Sequence, residues 1–317
     1  MNDGLRLLAR FLRRFGYDIK RQHQYNLLPI AGQAELASLA SFYNNNVDRA
    51  PIKGANLDRL VIYLRICVRA DAQKNRPPNF AATSNADLVS GCARSLIKSI
   101  NHALQHNVAS IKLLVLDDHS DPEYRDQIER LFRQCLAETE LRTTRSSGQG
   151  ASLIEQFDLA RSENALCYFC EDDYLHVESA IAGMCGFYRQ IVERCDTHLV
   201  IHPQEHDFLY TRHIYPSYIL IGDDRHWRTI SHATHTLFMH SSLVSKHWAY
   251  FENTRYVGDR KNRRLGVESR TTNHLFELYP GFAPIPAVAA HMQTLQSLPP
   301  LFDWQDLWNS NKTDADQ

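Results

Sequence analysis

Three short apolar runs limit what this chain can fold into more than anything else in it. They lie at 60–64 (Leu60-Val61-Ile62-Tyr63-Leu64), at 111–116 and at 165–170. Each is too short for a buried helix and suits a strand covered on both faces. Between the first two, Leu88, Cys92, Leu96, Ile100 and Ala103 fall on one helical face, so the spacing predicts a helix over 87–105. Residues 122–137 read as a second helix, with Asp121 at the N-cap and Pro122 in the first position. A short strand at 141–145 and a helix at 151–161, entered through Gly148-Gln149-Gly150, complete the series β-α-β-α-β-α-β. That order predicts an α/β protein on a mostly parallel sheet flanked by helices.

The segments on either side are less regular. Residues 1–16 form an amphipathic pattern, with Leu5, Leu8, Leu12 and Phe15 on one face and Arg6, Arg10, Arg13 and Arg14 largely on the other. Such a helix suits an anionic membrane surface, and it equally suits packing on its own domain or on a partner. A further helix is expected at 33–43, and a loop at 70–86 around Pro77-Pro78. Beyond 178, helices are expected at 179–194, 241–251 and 271–278, and strands at 199–202, 218–221 and 285–290. The chain therefore divides into an N-terminal helical extension (1–56), two halves of one α/β domain (57–178 and 179–295) and a tail (296–317) holding Trp304 and Trp308.

Charge and cysteine usage narrow the function classes. The 35 basic and 36 acidic side chains leave a net charge of −1, so there is no global field to capture nucleic acid. No apolar stretch reaches the roughly 18 residues of a membrane span, and the N-terminus lacks the pattern of a signal peptide. Seven cysteines, an odd number, read as reduced thiols of a cytoplasmic protein. Cys167 and Cys170 make a C-x-x-C, but residues three apart in a strand point to opposite faces and cannot share a metal.

The chemistry concentrates where two of the buried strands end. Asp117-Asp118-His119-Ser120-Asp121 follows the run at 111–116, and Glu171-Asp172-Asp173 follows the run at 165–170. Ligands of open parallel sheets bind at the carboxyl ends of strands. Adjacent carboxylates repel, and a divalent cation relieves that repulsion, with Mg2+ or Mn2+ suited to oxygen ligands.

In order and spacing, "LLVLDDHSD" (113–121), "GQGAS" (148–152) and "CYFCEDDYLH" (167–176) resemble the nucleotide-sugar glycosyltransferases of family 2, which have a GT-A (Rossmann-like) fold. The resemblance covers about 59–178 well and 179–292 loosely. It implies that Asp118, with Asp117, binds the nucleotide, that Asp173 is the principal metal ligand, and that Asp172 lies on the donor sugar. The metal triplet departs from the family in starting with Glu171. The stretch 65–69 replaces the usual small polar turn, and its Arg69 reads either as a phosphate or nucleobase contact or as a surface arginine.

The resemblance also directs attention to Glu268, at the start of a helix under the acceptor, where a carboxylate would take the proton from an attacking hydroxyl. Of sixteen histidines, nine lie between His198 and His247, none with H-E-x-x-H spacing. His232 and His235 are three apart in a partly strand-like stretch, which does not suit shared ligation. His291 follows the strand at 285–290, where some GT-A enzymes place a histidine on the metal or the diphosphate. The basic stretch Arg255, Arg260, Lys261, Arg263, Arg264 reads as a lid over the leaving diphosphate or as a solvated loop.

The expectation is an inverting, metal-dependent glycosyltransferase acting on a nucleoside-diphosphate sugar. Its acceptor would be a glycan or a lipid-linked glycan, and it would work in the cytoplasm with the 1–16 segment at the membrane face. A nucleotidyltransferase would need glycine in the loop after the first strand, and 65–74 has none. A non-catalytic module of the same fold, binding nucleotide sugar or glycan, is the third reading.

Overall fold

The computed structural model describes residues 8, 11–12, 15, 28–30, 49–69, 77, 80, 83–205, 217–222, 224–262, 264–300 and 302–312. Twelve strands are present among them: β1 (Leu28–Ile30), β2 (Arg59–Ile66), β3 (Ser110–Asp117), β4 (Glu138–Thr143), β5 (Leu166–Glu171), β6 (Tyr174–His176), β7 (Val200–Ile201), β8 (Tyr218–Ile221), β9 (His226–Ile230), β10 (Leu237–His240), β11 (Gly281–Ile285) and β12 (Ala289–His291). The helices are α1 (Asn85–Gln105), α2 (Pro122–Phe132), α3 (Gln149–Ala160), α4 (Ala180–Cys195), α5 (Ser241–Lys246), α6 (Trp248–Phe251), α7 (Leu275–Leu278) and α8 (Trp304–Asn309).

Ten strands make one sheet in the order β1-β8-β9-β11-β7-β10-β5-β2-β3-β4, and β12 pairs with β6 beside it. The block β4-β3-β2-β5 is parallel throughout. Next to it β10 runs antiparallel to both β5 and β7, so the second half of the chain completes the sheet in mixed sense. This is the Rossmann-like α/β architecture that the alternation predicts.

The pleat of β2 explains why its run is apolar on every residue. Leu60, Ile62, Leu64 and Ile66 enter a core under α1, α2 and α4, while Val61 and Tyr63 enter a second core under α3, α5 and α6. Each such aliphatic side chain gains about 1.5–3 kcal/mol from burial. Cys167 lies in the second core and Cys170 in the first, on opposite faces as their spacing requires. In α1, Ser84 caps the first turn by accepting the Asp87 N–H at 3.0 Å.

Several expectations need correction. α2 ends at Phe132, not near 137, because Arg133 and Gln134 are exposed and the chain turns there into β4. Asp121 occupies the N-cap position but its side chain makes no capping hydrogen bond. The helix expected at 241–251 breaks at His247. The strand expected at 285–290 is two strands, β11 and β12, and His291 ends the second rather than following it. Residues 1–56 are not only a helical extension: β1 adds an edge strand parallel to β8. The helix expected at 33–43, nearly all of 1–16 and most of 70–82 lie outside the described residues.

Candidate active site

The carboxyl ends of β2, β3 and β5 meet at one edge of the sheet and carry both acidic clusters there. Strand register puts Arg65 of β2 directly beside Glu171 of β5. The Arg65 Nη2 donates to Glu171 Oε1 at 2.8 Å, and its Nη1 lies 3.8 Å from Asp118 Oδ2. Arg65 is only 8% exposed. Burial alone would lower its pKa, but Glu171 first and then Asp172 and Asp173 raise it above the ordinary value, so the guanidinium stays charged. Arg65 thus bridges the two acidic clusters and offsets part of their mutual repulsion. Sequence reading passed over it. The available signal was an arginine inside a run of buried residues, which needs a buried acid as its partner.

The first cluster holds loops in place. Asp117 Oδ1 accepts the Ser120 N–H at 2.9 Å. Asp118 uses both oxygens: Oδ1 accepts the Gly148 N–H at 2.8 Å and Oδ2 accepts the Ser152 hydroxyl at 3.3 Å. This fixes the 148–152 turn, where Gly148 takes a φ of 114°, open to glycine but strained for other residues. Arg69 is half-buried and reaches the same turn, donating from Nη2 to the Ser147 hydroxyl at 3.1 Å and to the Asp118 carbonyl at 3.3 Å. Asp172 Oδ2 accepts the Cys67 N–H at 2.8 Å and so ties the end of β5 to the end of β2.

Asp173 behaves differently. It lies in the tight turn between β5 and β6, and the pairing of β6 with β12 sets His291 opposite Tyr174. His291 Nε2 consequently lies 3.4 Å from Asp173 Oδ1, although 118 residues separate the two. The Tyr174 ring stacks on the His291 ring at 4.5 Å and 11°, and Gln204 Oε1 accepts the His291 backbone N–H at 2.7 Å. The two donors named from sequence as metal ligands are therefore neighbours, and both are buried.

Their separation fits a shared cation. It exceeds the usual N–H···O range of about 2.7–3.2 Å. It is close to the edge of an octahedron of ligands, about 3 Å for metal–ligand distances near 2.1 Å. Among the described residues no group of three or more His, Cys, Asp or Glu side chains converges as a metal site. A cation at this pair would thus draw its remaining ligands from substrate phosphate and water, as Mg2+ commonly does.

Glu268 is half-buried and opens a single 3-10 turn, Glu268–Arg270, rather than a longer helix. It is connected to the strand ends through His235. Burial pushes the His235 pKa down, Glu171 and Glu268 push it up, and Arg65 pushes it down, so one imidazole lies within the fields of all three. His235 Nε2 is 3.4 Å from Thr271 Oγ1, just after the Glu268 turn.

The basic stretch leaves Glu252–Tyr256 and returns at Gly266. A Cβ on Gly150 would lie 2.4 Å from the Arg255 carbonyl oxygen, and one on Gly266 would lie 2.5 Å from the Tyr256–Val257 peptide. These close approaches fasten the stretch to the N-terminus of α3 and to the Glu268 turn.

The chain matches no protein-family model and no curated protein. Among solved structures it is similar to residues 1–349 of S. aureus TarS, with 10% identity and a TM-score of 0.41, over 76% of this chain and 59% of that one. The chain thus spans less than two thirds of that structure. It is also similar to a UDP-glucose pyrophosphorylase complexed with UDP-glucose, with 7% identity and a TM-score of 0.43, over 79% and 97%. An inositol-1-phosphate CTP transferase from T. maritima gives 14% identity and a TM-score of 0.35, over 82% and 98%. Likenesses this loose say nothing about activity, and the fold rests on the strand order itself.

Proposed function

We propose that this chain is a glycosyltransferase that moves a sugar from a nucleoside-diphosphate donor to an acceptor hydroxyl with inversion. The observation that carries this reading is the Asp173–His291 pair at the strand-end edge. A carboxylate and an imidazole, far apart in sequence, meet where a Rossmann-like sheet binds its ligand. Asp173 and His291 would hold Mn2+ or Mg2+, which supplies Lewis-acid stabilisation of the departing diphosphate.

The other residues divide the remaining work. Asp118, Ser152 and Arg69 keep the 148–152 turn rigid as the wall for the nucleoside. Arg65 holds Glu171 in place and offsets part of the repulsion between the two acidic clusters. Glu268 takes the acceptor proton as the acceptor oxygen bonds to the anomeric carbon and the bond to the diphosphate breaks. His235 is buried beside this site, and burial lowers its pKa.

A thermal-shift panel with and without Mn2+ tests the proposal, starting from UDP, UDP-GlcNAc and UDP-glucose, the ligands of the similar structures. A donor at 100 times its Kd stabilises by about 2.7 kcal/mol, and the shift should require Mn2+. No shift with any nucleotide sugar would refute the donor assignment. Pyrophosphate release from a nucleoside triphosphate and a sugar 1-phosphate would replace the reading with nucleotidyl transfer. Binding without turnover on any acceptor would leave a binding module.

A further inference from the structure

The segment from Arg255 to Arg270 has a composition that donor binding does not account for. Arg260, Lys261, Arg264 and Arg270 are all exposed along it. Nearby acid offsets only part of this charge. Glu252 pairs with Arg255. Asp259 accepts the Lys261 N–H at 2.8 Å and the Asn262 side-chain N–H at 2.9 Å. None of the ion pairs among the described residues involves Arg260, Arg264 or Arg270. Two apolar side chains, Leu265 and Val267, are exposed among these cations at 37% and 40%. The backbone is closely packed at two points, since a Cβ would have no room at Gly266 against the Tyr256–Val257 peptide or at Gly150 against the Arg255 carbonyl. Glu268 lies within this segment.

We infer that the 260–270 arc is the acceptor-binding surface and that the acceptor is an anionic glycan, with carboxylate or phosphate groups spaced along a saccharide chain. This rests on the reading of Glu268 as the group that takes the acceptor proton. Four exposed cations spread over this stretch exceed what one diphosphate needs, and they face solvent, where an acceptor approaches. Exposed cations act within roughly a Debye length, about 10 Å at 0.1 M salt, so the ligand must lie along the arc itself. Leu265 and Val267 suit the apolar faces of sugar rings. The arc from Val257 to Arg270 has no aromatic residue on which a base would stack, which separates it from a single-stranded nucleic-acid groove.

The test uses the full chain, with hexagalacturonate as the anionic probe, maltohexaose as its neutral match and a ten-nucleotide oligo-dT as the nucleic-acid control. Binding is read by titration calorimetry at 50 and 200 mM salt. Hexagalacturonate should bind, should weaken with salt, and should bind more tightly than either control. The variant Lys261→Glu/Arg264→Glu should lose at least about tenfold in hexagalacturonate affinity, while UDP affinity in Mn2+ changes less than twofold. Absent or salt-independent binding, equal binding of maltohexaose, or tighter binding of oligo-dT overturns the inference. So does an equal loss of UDP affinity, which would assign the arc to the donor diphosphate. Failure of UDP to bind the wild-type chain would instead count against the donor assignment, while the comparison of the three probes decides the arc separately.

Discussion

Replacing Arg65 with Met removes the one basic group that register places between the two acidic clusters. The buried pair with Glu171 at 2.8 Å loses its cation, while Glu171, Asp118, Asp172 and Asp173 keep their places. Breaking a buried pair from one side costs about 3–5 kcal/mol, because the remaining charge is left in low dielectric. With an unfolding entropy of about 2.1 cal/mol/K per residue, the 317 residues give roughly 0.67 kcal/mol/K, so the melting midpoint should fall about 5–7 °C. The control is Arg133→Met, whose side chain is 76% exposed and 4.0 Å from Glu129. An exposed pair like that is worth about 0–1 kcal/mol, a shift under about 2 °C. Calorimetry on both variants, with the double variant Arg65→Met/Glu171→Leu, separates charge from packing. The double variant should recover at least half the loss, since replacing both partners removes the unpaired charge. A loss for Arg65→Met no larger than for Arg133→Met, or a double variant less stable than the single one, would refute the reasoning.

Other outcomes follow from the same physics. Burial pushes His198 down to about 4 and His176 and His240 down to about 3, from an ordinary 6.5. Each is neutral in the folded chain and takes up a proton on unfolding below pH 6.5, so stability is full above 6.5 and falls as pH drops toward 4. Three such groups give a slope of up to about 4 kcal/mol per pH unit. Denaturant titrations from pH 7 to 4.5 check this, and a flat profile contradicts it. Gly150→Ala would drive a methyl group into the Arg255 and Val257 carbonyls. It should cost about 1–3 kcal/mol and speed proteolysis within 255–264. Leu8, Phe11 and Phe15 are exposed, so flotation with anionic vesicles should retain the full chain and not one lacking residues 1–16. Equal retention would remove the membrane reading.

The parts of the fold that were legible in sequence are those whose burial is written as apolar residues. β2, β3 and β5 read clearly because both faces are covered over most of their length, so each carries an uninterrupted apolar run, Leu60–Leu64, Leu113–Leu116 and Leu166–Cys170. The edge strand β4 read poorly because charge holds much of it: Lys112 on β3 reaches Glu138 at 2.9 Å and Glu140 at 3.1 Å. β6 and β12 have three residues each, too few for any period to show. In the site, the positions of the acids were legible from where the strands end. The partners that set their state were not. Arg65 looked like one more strand residue, and His235 gained meaning only when folding brought it within the fields of Glu171, Glu268 and Arg65.

The most direct test of the account is Mn2+ binding, followed by titration calorimetry and by electron paramagnetic resonance of the ion. The wild-type chain should bind one Mn2+, and UDP should tighten it. Asp173→Ala should weaken Mn2+ at least about a hundredfold, and His291→Ala at least about tenfold with loss of the nitrogen coupling in the spectrum. Undiminished Mn2+ affinity in Asp173→Ala, with UDP still bound, would show that the Asp173–His291 pair is not a metal site and would remove the observation on which the proposed function rests.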